Sequence, residues 1–169
     1  YRTASGAPGP EYYQQQADYK MDIELDDKNT KLYGKETVTY TNNAKESLDY
    51  LWVQLDQNQQ SRKSLSPLVE NQSTPLVVPA QSFSRKYLEE DFDGGFNIEY
   101  VNDAEGKPMS YTINQTMMRI DLPTPVKSGA SVSFAIDWNY LITEYYGRSG
   151  YEFFAKDGNA NYFIAHWFP

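Results

Sequence analysis

The chain has 169 residues, a formal net charge of -8, one histidine and no cysteine. Without cysteine there can be no disulfide, thiolate zinc site or cysteine nucleophile. Its 15 basic residues are scattered among 23 acidic ones, which excludes the basic patch that nucleic acid requires, and no apolar run approaches the roughly 20 residues of a membrane helix.

The length fits a single domain. Residues 1–10, rich in Gly, Pro and small side chains, read as a flexible leader, and 11–169 as a single β domain. The opening Tyr1-Arg2-Thr3 carries no methionine and no apolar stretch, so a mature or excised form is expected. Residues 17–27 alternate with a period of two. Ala17, Tyr19, Met21, Ile23 and Leu25 share one face and charged residues the other, which predicts a half-buried strand. Asp26 to Asn29 supply a turn. A second strand follows over 32–42, with Leu32, Glu36, Val38 and Tyr40 on one side and threonines on the other; together the two predict a hairpin.

A third strand is predicted over 47–58, where Leu51, Val53 and Leu55 alternate with Trp52 and Gln54. Residues 57–82 are polar, contain three prolines and hold no period; they predict a long connection with room for a short helix or an edge strand near Val77. Strands are expected again over 94–103, 110–114 and 117–122. Residues 123–130, with two prolines, read as a loop. A strand is expected over 131–142, where Val132, Phe134, Ile136, Trp138 and Tyr140 alternate cleanly. Residues 151–155 and 161–167 flank a Lys156-Asp157-Gly158-Asn159 hairpin turn. Nine short strands without a helical period predict an all-β fold, either a β-sandwich or an extended antiparallel sheet.

Sites of chemistry are sparse in this pattern. His166 has no nucleophile-elbow motif to serve, so a strand-end histidine is the simpler reading than a catalytic base. One histidine without cysteine cannot build a zinc site. Glu89-Glu90-Asp91-Phe92-Asp93-Gly94 is the densest acidic stretch but lacks the spacing of a calcium loop. Nothing selects a pair of carboxylates for glycoside hydrolysis, and phosphate-binding glycine motifs are absent.

Several segments nevertheless resemble a known family. EYYQQQADYKMDIELDDKNTKLYGKETVTYTNNAKESLDYLWVQLDQN, with its strand ending in Leu-Asp and its Leu-x-Gly turn into ETVTYTNN, resembles the opening of M1-family zinc aminopeptidases, in particular the bacterial exported branch. Residues 105–142 and the terminal YEFFAKDGNANYFIAHWFP resemble the same branch. The resemblance runs from about Glu11 to Pro169 and weakens across 57–92.

It implies an antiparallel sheet domain of saddle or sandwich form, the N-terminal, non-catalytic part of such an enzyme. It further implies a downstream catalytic domain as partner, with the zinc there, and export to the periplasm, cell envelope or exterior. The H-E-x-x-H and Gly-x-Met-Glu-Asn motifs of the catalytic domain do not occur in this chain, so the chain alone is not expected to be an enzyme. The domain's share is expected to be one wall of the peptide-binding cleft, with His166 as a substrate-binding residue where the branch often has Gln. The alternative is a free-standing β-sandwich module that binds glycan or protein.

Overall fold

The computed structural model describes residues 1–65, 92–144, 149–154 and 158–169, together with Val77, Ala80 and Lys156. Most of the expected 57–82 connection, and Glu89-Glu90-Asp91, therefore lie outside the described residues. The named elements are nine strands and one 3-10 turn: β1 (Gln16–Asp26), β2 (Lys31–Thr41), β3 (Leu48–Gln54), the turn at Asp56–Gln60, β4 (Asn97–Asp103), β5 (Tyr111–Asn114), β6 (Met117–Val126), β7 (Ser131–Leu141), β8 (Ser149–Phe154) and β9 (Asn159–Ile164). They form a four-stranded sheet in the order β1-β2-β7-β4, a three-stranded sheet β3-β6-β5 and the hairpin β8-β9. Every pairing between named strands is antiparallel. The described residues thus form a nearly all-β fold whose named strands pair antiparallel.

One core joins the two larger sheets. Leu32 and Val38 of β2 and Phe134, Ile136, Trp138 and Tyr140 of β7 cluster with Leu51 of β3 and Met118, Ile120 and Leu122 of β6. The alternation of β2 and β7 creates this core. Direct partners such as Val38↔Phe134 and Leu32↔Tyr140 point to the same side, as the pleat requires. The opposite face is polar, where Thr39 Oγ1 and Thr41 Oγ1 meet the hydroxyls of Ser133 and Ser131 at 2.9 and 2.8 Å.

Trp138 is fully buried and stacks on Tyr140 at 5.8 Å between ring centroids. Its indole lies over Gly34: a Cβ built there would stand 2.1 Å from Trp138 Cζ2. Position 34 is thus glycine for want of space.

Three expectations need correction. The third strand stops at Gln54 instead of running to residue 58, and Asp56–Gln60 close into the 3-10 turn. Leu55 keeps the apolar alternation and is fully buried, but its N–H donates to Thr116 O rather than to a strand partner. Residues 123–126, expected in a loop, continue β6. Past Asp121 that strand has outrun β5 and pairs with β3 through a register shift between Leu48 and Tyr50, and an unshared edge or bulge is where proline is tolerated in a sheet.

The third correction concerns β1. Its pattern calls for a half-buried face, yet Tyr19, Ile23 and Leu25 are 48, 41 and 43% exposed. β1 is an edge strand, and the three-stranded sheet packs over β2 and β7 without reaching it.

The turn after β2 is fixed by Asn42, which is fully buried. Its Nδ2 donates to Glu46 O at 2.8 Å and Val126 O at 2.9 Å, while Oδ1 accepts from Ala44 N and Gln15 Nε2. All four hydrogen-bonding positions of the amide are used. Asn42→Ala should therefore cost about 2 kcal/mol in denaturant unfolding, since two backbone carbonyls lose their donor. Asn42→Asp should cost a similar amount, because a carboxylate cannot donate to them.

Candidate functional site

Within β2 the period of two turns Glu36 inward, between Gly34 and Val38. It sits opposite Met21 of β1 and Ile136 of β7. Glu36 is 2% exposed, and neither carboxyl oxygen has a hydrogen-bond partner among the described residues. Buried polar groups are almost always paired, and an unpaired one costs the full desolvation of the group. Loss of hydration disfavours the charged form, and burial pushes the Glu36 pKa up to about 8. Tyr19 is also raised above its ordinary value, first by burial and then by the charge of Glu36.

A cavity of 370 Å³ opens over Glu36, between β1–β2–β7 and β3. Its walls are Tyr19, Val38, Tyr40, Leu51, Val53 and Phe134, and its rim is formed by Trp52, Gln54, Asp56, His166, Phe168 and Pro169. The rim residues arrive there through the C-terminal segment. Ser149 Oγ donates to Ala165 O and accepts from Ala165 N, at 3.2 and 3.1 Å. The buried Gln57 of the 3-10 turn donates through Nε2 to the carbonyls of Ala165 and His166, at 2.9 and 3.3 Å. His166 itself adopts φ 50°, a left-handed conformation that costs a side-chain-bearing residue roughly 1–2 kcal/mol. The bend sends the following residues back over the sheet. Tyr140 donates to Trp167 O at 3.2 Å, and Phe168 meets the ring edges of Trp167 and Tyr19 at 4.8 and 5.5 Å.

His166 is thereby left at the mouth of the cavity with its side chain 63% exposed and Nδ1 3.1 Å from Asp56 Oδ2. The one histidine singled out in the sequence thus shares a cavity with Glu36 and Asp56, neither of which sequence reasoning had joined to it. The signal that could have found Glu36 was its place in the apolar register of β2. Among the described residues no group of three His, Cys, Asp or Glu side chains stands close enough to hold a metal ion, so a zinc ion does not fit the described residues. Among the same residues no helix is long and apolar enough to cross a membrane. What the cavity offers chemically is a carboxyl floor, aromatic walls and a polar mouth, an arrangement suited to binding.

No family model matches the chain, and no curated protein matches it either. Solved structures do. An M1 zinc metallopeptidase from Deinococcus radiodurans is 12% identical, with a TM-score of 0.46, over 80% of this chain and 24% of its own. A mutant of that enzyme bound to a Tyr-Ser-Ala substrate gives the same figures. A two-domain M1 zinc metallopeptidase mutant bound to L-tryptophan is 12% identical, with a TM-score of 0.44, over 80% of this chain and 23% of its own. The chain thus spans about a quarter of the length of the structures it matches.

Proposed function

We propose that the chain is the non-catalytic N-terminal domain of an M1-type zinc metallo-aminopeptidase. In this reading it packs on a zinc-bearing catalytic domain of the same protein and forms one wall of the cleft through which peptides present their N-terminal residue. The zinc, and the hydrolysis it assists, belong to that other domain. His166 at the rim of the cavity is the proposed contact of this domain with peptide, and export from the cytoplasm belongs to the same reading. The observation that carries it is the inner face of β1, whose Ile23 and Leu25 continue the buried face of β2 yet stand open among the described residues. A strand pattern that specifies burial but lacks a cover among the described residues supports a second domain lying against it. The order and spacing of the family-like segments support which domain that is.

Two measurements test the reading. The reading frame beyond Pro169 should encode H-E-x-x-H with a following Glu, and the whole protein should release amino acids from aminoacyl-nitroanilides while residues 1–169 alone should not. The double substitution Ile23→Asp, Leu25→Asp should change the stability of residues 1–169 by no more than ~0.5 kcal/mol, as for ordinary surface sites, but lower activity of the whole protein at least tenfold. An unchanged activity in that variant would sink the proposed docking face.

A further inference from the structure

We propose that the cavity above Glu36 is a binding site for a primary ammonium group carried on an apolar stem, with the Glu36 carboxylate as its counter-ion. The inference is independent of the proposed domain role and holds whether or not a catalytic domain follows.

Four observations carry it. Both Glu36 oxygens are buried and without partners among the described residues, and the residue lines the cavity. A lone carboxylate supplies too few oxygens for a divalent cation, which takes six or more ligands, and no cluster of potential metal ligands accompanies it among the described residues. The volume of 370 Å³ falls in the range of small-ligand pockets. Its walls are apolar or aromatic, and the rings of Tyr19, Tyr40 and Phe134 can attract a cation through their faces as well as shelter its stem. An anion would meet Glu36, the Asp56 rim and a chain of net charge -8.

Binding must be linked to a proton. Left empty, the buried carboxyl holds its proton up to about pH 8, and an ammonium pairs only with the ionised form. Occupation therefore expels that proton, and affinity rises with pH until the amine itself titrates. The other titratable groups around the cavity are Tyr19 from β1, Tyr40 from β2, Asp56 from the 3-10 turn and His166 from the C-terminal segment. The facing strands add no titratable group: Leu51, Trp52, Val53 and Gln54 come from β3 and Phe134 and Ile136 from β7. Both tyrosines are raised above their ordinary value, chiefly by burial, so they stay neutral between pH 7 and 9.

The experiment is calorimetric titration of the 169-residue protein with 2-phenylethylamine, its neutral counterpart 2-phenylethanol, and Nα-acetyl-lysine amide. The amine should bind at least tenfold more tightly than the alcohol at pH 9, and its affinity should rise about tenfold from pH 7 to 9. At pH 7 the heat should depend on the buffer, with about nine-tenths of a proton released per site. Glu36→Gln preserves size and should erase both the preference for the amine and the pH slope. Preference for the lysine derivative assigns the site to lysine side chains, and preference for phenylethylamine assigns it to free amines. Absence of amine binding, equal binding of amine and alcohol, or an unaltered preference in Glu36→Gln overturns the proposal. Should the variant fail to fold, buffer-independent heats in the unsubstituted protein overturn it equally.

Discussion

With the cavity empty, raising the pH from 5 to 8.5 is expected to weaken the fold progressively, and Glu36→Gln is expected to remove most of that loss. The sign follows from proton linkage. The folded-state pKa of Glu36 is raised from the ordinary 4.5 to about 8. Between those values the folded protein keeps a proton that the unfolded chain has released, so stability falls as pH rises. The slope is about 1.4 kcal/mol per pH unit. Across the window the loss is on the order of 5 kcal/mol, most of it gone by pH 8. That is comparable with the whole stability of a small domain, typically ~5–15 kcal/mol. Thermal or urea unfolding at half-unit pH intervals checks it. A pH-stability curve that keeps the same slope in Glu36→Gln would show that the loss comes from other groups. At pH 8.5 the variant should be the more stable protein by several kcal/mol, which is the reverse of the usual outcome for a buried position.

The second large effect is steric. Gly34→Ala is expected to cost about 3 kcal/mol, because the added methyl overlaps a side chain that is already in a close-packed core. The methyl would fall 2.1, 2.4 and 2.6 Å from Cζ2, Cε2 and Cη2 of Trp138. Neither partner can yield easily: Gly34 is held between β1 and β7, and the indole is wedged between Tyr140 and Phe96 at 5.8 and 5.4 Å. The mechanism can be separated from a general intolerance of β2 by a double-mutant cycle. Trp138→Phe destabilises on its own by leaving space, but it removes the atoms that meet the methyl. In that background Gly34→Ala should cost less than half as much, a coupling of the size expected for residues in contact. Additive effects would overturn the explanation. Gly106→Ala serves as a contrast. Its φ is +80° with nothing within 4 Å of the added methyl, so the cost there is backbone strain alone, about 1–2 kcal/mol.

Much of the architecture was legible because side-chain alternation is local. β1, β2 and β7 announce themselves by period two, and their ends fall within a residue or two of the expected positions. What the sequence hid was set by partners distant along the chain. Pro123 and Pro125 read as loop residues, and only the loss of β5 as a neighbour and the bulge against β3 make them acceptable in β6. Leu55 keeps the apolar rhythm of β3 after the strand has ended, since burial depends on where a side chain points and strand identity on which carbonyl its N–H finds.

The candidate site shows the same divide. Glu36 was visible as a charged residue in an apolar register, but its lack of a partner is a property of three dimensions. His166 stood out as the one histidine, while its pairing with Asp56 depends on Gln57 and Ser149 bending the C-terminal segment. The inner face of β1 was rightly read as apolar, yet its Ile23 and Leu25 stand 41 and 43% exposed among the described residues.

The pairing of β2 with β7 also bears on how the protein acquires its shape. Thr41 and Ser131 face each other across 90 positions of chain, and β4, β5 and β6 all lie between them in sequence. Loops of that length close slowly, and non-local sheets fold later than local hairpins. As the chain leaves the ribosome, β1 and β2 can meet at once as a hairpin. The apolar side of that hairpin must then stay in water until β7 has been synthesised. Glu36, in the middle of that side and fully hydrated for the interval, carries a charge there that the finished core suppresses. A charge among exposed apolar strand residues discourages association with other nascent chains. The same carboxyl that strains the completed fold can thus guard the incomplete one.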